Sequence, residues 1–183
     1  VADTAAVQGP RMVVVDRPDA GQAAVIATRR GIARRDADYF PLLVANNILG
    51  GGYSARLNQE IRIKRGLSYG ARSGLAARLG AGPINASAQT KNPSAPEVVD
   101  LVLAEFARMG EPTPAVELNA RKAVLIGNFG RQTETNDGLA DALSELALYG
   151  LPLSTLGEYV AQVQAVTTEQ VRAAGRKWFA PEA

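Results

Sequence analysis

The apolar pattern changes period near Ser94, and that change limits the folds open to the chain. Before it, short runs rich in β-branched residues alternate with turn residues; after it, apolar residues recur at helical spacing. An all-helical bundle leaves no place for the first part. A doubly wound sheet needs a regular strand–helix alternation, which is missing. The expected fold class is α+β, a mainly antiparallel sheet with helices packed on one face, in a single domain over residues 1–183.

Strands are expected near residues 11–16, 23–30, 68–78 and 84–91. The first two read as sheet neighbours. The last two read as an antiparallel hairpin around Gly80-Ala81-Gly82-Pro83, and alternation puts Tyr69, Ala71, Ser73 and Leu75 on one face. Asp36 reads as the cap of a helix that Gly50-Gly51-Gly52 ends. Ser54 reads as the cap of a shorter helix over 55–64, with Gly66 as its stop. Beyond Ser94, Ser94-Ala95-Pro96-Glu97 has the form of a capping box, and Val98, Leu101, Val102 and Phe106 make a buried stripe. Further helices are expected from Thr113-Pro114 to about residue 129, and over 135–148, 155–163 and 168–179. The last opens on a second box, Thr167 with Gln170.

Two residue types are missing from the chain, histidine and cysteine. Their absence excludes a Ser-His-Asp triad, a cysteine nucleophile, an iron–sulfur cluster, an H-E-x-x-H helix and the usual zinc ligand sets. No metal or cofactor is therefore expected in this chain. No apolar run approaches the roughly 18 residues of a membrane helix, so no membrane span is expected. The charge is uneven, with 13 basic against 6 acidic side chains in the first 91 residues and 7 against 12 in the rest. The pairs Arg29-Arg30 and Arg34-Arg35 lack the aromatic interleaving and docking motif of a nucleic-acid surface, so no nucleic-acid partner is expected.

Gly50-Gly51-Gly52 invites a phosphate-loop reading, but no Gly-Lys-Ser/Thr follows and the glycines come after a helix instead of a strand. Asp137, Asp141 and Glu145 stand one turn apart and read as a solvated face. Arg62 and Tyr69 are of a different kind. They stand seven residues apart, across a junction that runs from a helix end through glycine to a strand start. With Leu57 and Ile61 facing the core, Arg62 is turned about 100° toward the helix flank. On the residues alone two readings stay open. The pair is functional, or Arg62 pairs with an acid such as Glu60 or Asp38 while Tyr69 covers the sheet edge.

From Gly9-Pro10 onward the sequence resembles one homologous unit of the zinc peptidase family that includes pitrilysin, insulin-degrading enzyme and mitochondrial processing peptidase. Four stretches carry the resemblance: Asp36-Ala37-Asp38-Tyr39, the run from Ile48-Leu49-Gly50-Gly51-Gly52-Tyr53 to Asn58, the segment 60–69, and Ala165-Val166-Thr167-Thr168-Glu169-Gln170-Val171. The resemblance implies an α+β unit and a partner half that carries zinc on an H-x-x-E-H helix. Arg62 and Tyr69 match a pair that in the family reaches the peptide held at the metal and stabilises the developing oxyanion.

The missing histidine rules out the zinc-bearing unit, and the resemblance then implies the C-terminal, non-zinc unit of a subunit in a heterodimeric or internally duplicated peptidase. It would be inactive alone, with peptide hydrolysis completed in the assembly. A scaffold or peptide-binding homologue is the alternative. The family's units continue into a last strand where this sequence reaches Pro181-Glu182-Ala183, so a sheet one strand short is expected. The composition suggests a bacterial source, and family habit a periplasmic or envelope location.

Overall fold

The computed structural model describes residues 11–180. Three strands form one sheet: β1 (Gln22–Arg30), β2 (Ala71–Leu75) and β3 (Pro83–Lys91), in the order β1-β3-β2, with both pairings antiparallel. Seven helices accompany them, among the described residues: α1 (Tyr39–Gly50), α2 (Arg56–Asn58), α3 (Ala95–Arg108), α4 (Ala115–Thr133), α5 (Asn136–Leu148), α6 (Ser154–Ala165) and α7 (Thr168–Trp178). This is the expected α+β class.

Alternation explains the layering. Val25 on β1, Ala71 on β2 and Ile84, Ala86 and Ala88 on β3 are buried on the helical side, whereas Ile26, Arg72, Asn85 and Gln89 face out. The buried face meets Leu42, Ile48 and Leu49 of α1 and Val98, Val102 and Phe106 of α3 in one continuous core. Every residue of α1 after Leu43 is buried, because the helix packs against β2 of the sheet and against α4, α6 and α7.

Several expectations need correction. Residues 12–15 form no strand and do not neighbour β1; their four side chains are 67–81% exposed. β-branching suits a segment to a ladder but supplies no partner, and β1 pairs instead with β3 across the whole register from Gln22–Lys91 to Arg30–Pro83. The strand expected over 68–78 is shortened to Ala71–Leu75, which leaves Tyr69 outside it.

The cap of α1 is Asp38 and not Asp36, whose Oδ1 accepts from the Asp38 N–H at 2.9 Å. Ser94 closes a 3-10 turn in helical conformation, so its hydroxyl caps nothing and that box is absent. Thr167 and Gln170 do form the reciprocal box. The expectation of a sheet one strand short rests on residues 181–183, which lie outside the described residues.

Candidate functional site

The junction between α2 and β2 is built from consecutive local devices. Leu57 and Ile61 are fully buried, which fixes one face of the helix. From Gln59 to Ile63 the helix widens into a π-helix, where the Lys64 N–H reaches the Gln59 carbonyl at 2.9 Å. Such widenings are over-represented at functional sites, and this one carries Arg62. The helix then stops on two paired hydrogen bonds, Gly66 N–H to Arg62 O and Leu67 N–H to Ile61 O, both 2.9 Å. That closure needs a left-handed residue, and Gly66 supplies it with φ +65°.

Past the stop, the Leu67 carbonyl accepts from Thr90 Oγ1 at 2.6 Å, which ties the turn to β3. The Ser68 hydroxyl then accepts from the Gly70 N–H at 3.1 Å and donates to its carbonyl at 2.8 Å. This small turn interrupts the chain just before β2. As a result Tyr69 is not on the face of Ala71, Ser73 and Leu75; it stands 90% exposed, with no hydrogen-bond partner among the described residues.

Arg62 is exposed at the other end of the turn. The acids that sequence offered it are taken. Glu60 is bonded by Lys64 and, at 2.6 Å, by Arg65, and the Lys64 ammonium foremost holds its carboxyl below the usual range. Asp38 accepts from Lys177 Nζ at 2.7 Å and Trp178 Nε1 at 3.1 Å. The Arg62 guanidinium lies instead over the Tyr53 ring, 4.9 Å from its centre. Spacing places Arg62 and Tyr69 on the two sides of one turn, and the fold keeps both in solvent.

Sequence reasoning missed what supports this junction. Asn58, 3% exposed, donates from Nδ2 to the Tyr53 carbonyl at 2.6 Å and accepts at Oδ1 from the Ala71 N–H at 3.2 Å. Ser54 does not cap the helix, because Ala55 takes the cap position and the Ser54 hydroxyl accepts from Arg121 Nη2 at 3.1 Å. Burial pulls the Arg121 guanidinium below its usual range. The one available signal was Asn58 itself, a polar residue beside Leu57 on the buried side of a helix.

The other candidates resolve into structure. Gly50 lies inside α1 against β2, where a Cβ would stand 2.2 Å from the Ser73 nitrogen, so close packing and not phosphate explains it. Arg34 bonds Glu145 at 3.3 Å, and Arg35 donates to the Tyr149 and Gly150 carbonyls, each at 2.5 Å, at the end of α5. A hollow of about 490 Å³ along α7 is lined by Glu169, Arg172, Ala173, Arg176 and Lys177. Its cations are engaged, the two arginines with the Gly110 carbonyl and Lys177 with Asp38. Among the described residues no group of three or more acidic side chains could hold a metal ion, and no helix is long and apolar enough to cross a membrane.

The family model described as the peptidase M16 inactive domain matches residues 2–125. A Streptomyces coelicolor protein named an uncharacterized zinc protease is 28% identical over 156 residues, covering 85% of this chain and 34% of its own length. A Mycobacterium leprae protein of the same description is 30% identical over 179 residues, covering 93% and 38%. The chain thus spans little more than a third of these relatives.

Among solved structures, a peptidase M16 inactive domain from Pseudomonas fluorescens superposes with a TM-score of 0.80 at 35% identity, over 87% of this chain and 38% of that one. A putative zinc protease from Bordetella pertussis shares the fold, with a TM-score of 0.75 at 19% identity and 90% of each chain covered.

Proposed function

The chain belongs to the peptidase M16 inactive-domain family, and from that premise we propose that it completes a peptidase site whose zinc is held by a partner half. The single observation that supports this reading is the state of Arg62 and Tyr69. A guanidinium without an ion pair and a phenol without a hydrogen bond stand on the two sides of one tightly pinned turn. The two structural roles that the sequence offered are not taken up: Glu60 and Asp38 are bonded by other cations, and the Tyr69 ring is left uncovered.

The chain offers nothing that fits zinc, since it has neither imidazole nor thiolate and its described carboxylates do not cluster. The metal therefore belongs, in this reading, to a homologous half bearing an H-x-x-E-H helix, in a separate chain or in the same longer one. What this chain does is donate. Arg62 presents a planar fork of N–H donors, which peptide carbonyl oxygens can accept. The Tyr69 hydroxyl is a single donor for the oxygen on which charge grows as the peptide carbonyl turns tetrahedral. Aimed from a rigid turn into a site closed to water, such donors stabilise the transition state more than the ground state. Alone, the chain hydrolyses nothing.

Reconstitution tests the proposal. A zinc-bearing half prepared without its own inactive unit should gain peptide hydrolysis when this chain is added. The Arg62→Ala/Tyr69→Phe chain should bind that half equally well and restore little. Full restoration by the double variant would leave a scaffold or peptide-binding role in place of the site-completing one.

A further inference from the structure

We propose that Tyr53 is a positioning residue for Arg62: its ring is a platform that holds the guanidinium by its face and leaves the N–H edge free for a peptide. This deepens the function proposed above and rests on it. Tyr53 is 65% exposed, so burial does not account for its ring's place under Arg62, 4.9 Å from the guanidinium carbon. Its backbone, by contrast, is anchored at its own carbonyl and at the residue that follows. The Tyr53 carbonyl accepts from the buried Asn58 amide at 2.6 Å, and the next residue, Ser54, is held by the buried Arg121 at 3.1 Å.

The same Asn58 side chain accepts from the Ala71 N–H, two residues beyond Tyr69. One amide therefore sets the relative placement of the platform and of the strand that Tyr69 precedes.

The choice of an aromatic platform has a chemical consequence. A carboxylate partner would fix Arg62 by occupying its donors, the groups a substrate needs. A ring attracts the cation through its face and consumes no N–H. The guanidinium is restrained and its fork stays unspent.

The test combines a spectroscopic arm on the chain with an activity arm in the zinc-bearing assembly. By NMR, the Arg62 side-chain protons should be shifted upfield by the ring in the wild type and in Tyr53→Phe, and revert in Tyr53→Leu. In the assembly, with a quenched-fluorescence decapeptide as probe, Tyr53→Leu should lower kcat by about 3- to 30-fold, the span from an exposed to a desolvated cation–π contact, while Tyr53→Phe stays near wild type. In the Arg62→Ala background, Tyr53→Leu should change nothing further, because it acts only through Arg62.

Wild-type turnover in Tyr53→Leu alongside an impaired Arg62→Ala overturns the platform and leaves the proposed function intact. So does a full additional loss in the double variant. Wild-type turnover in Arg62→Ala overturns the proposed function itself, and the platform with it.

Discussion

Arg56 and Glu117 form a two-pronged ion pair, Nε to Oε1 at 2.8 Å and Nη2 to Oε2 at 2.7 Å, that fastens the helix leading to Arg62 onto α4. Both side chains are largely out of solvent, at 11% and 25% exposure, and the hydrogen bonds that Arg56 donates to Glu117 lift its guanidinium further above its already high range. Removing one partner strands a charge. Glu117→Ala should lower stability by about 2–4 kcal/mol, read as a lower urea midpoint. Replacing both, as Arg56→Met/Glu117→Leu, should cost less than Glu117→Ala alone, since no unpaired charge remains.

Gly50 supplies a second test of the fold. Alanine is the better helix former by about 1 kcal/mol, so an unconstrained Gly50→Ala would stabilise α1. Here the added methyl would stand 2.2 Å from the Ser73 nitrogen and 2.6 Å from its hydroxyl oxygen. The expected net result is destabilisation by about 2–3 kcal/mol in urea unfolding, because α1 must move off β2. A raised midpoint would contradict the close approach.

How legible the chain was depended on distance along it. Alternation at residues 84–90 and the stripe Val98–Val102–Phe106 report local geometry, so the hairpin, the helical second half and the Thr167–Gln170 box could be read directly. Residues 12–15 misled because a propensity for strand says nothing about whether a neighbour exists. Ser94 and Ser54 misled because a hydroxyl has several possible employments, and Arg121, 67 positions away, claims that of Ser54.

The site divided in the same way. The spacing of Arg62 and Tyr69 was visible through a family resemblance. The π-helical turn, the Ser68 turn that removes Tyr69 from its strand, and the Tyr53 ring were not. The first two are local hydrogen-bond choices and the third comes from packing that brings 53, 58, 62 and 71 together, and no periodicity marks any of them.

Acid should weaken the chain through Asp38. Bonded foremost by Lys177, and also by Trp178, its carboxyl ionises below its ordinary value in the folded state. The unfolded chain therefore binds the proton first, and the stabilisation, complete above the unfolded value of about 3.9, is lost as pH falls from about 5 toward and through the lower folded value. Glu60 acts in the same direction through Lys64 and Arg65. Urea midpoints from pH 7 down to pH 3 should fall less steeply in Asp38→Asn, which keeps an oxygen for the Trp178 N–H. Parallel curves for the two proteins would contradict the assignment.

In the function proposed above, Tyr69 donates a hydrogen bond from its hydroxyl to the developing oxyanion. Its side chain is 90% exposed, so Tyr69→Phe removes a single hydroxyl and leaves the fold and its stability as they are. The decisive measurement is kcat for peptide hydrolysis by the Tyr69→Phe chain assembled with the proposed zinc-bearing half. The expected result is a fall on the order of 10²–10³, the usual effect of removing one oxyanion donor, with assembly affinity unchanged. Wild-type kcat in that assembly would contradict it.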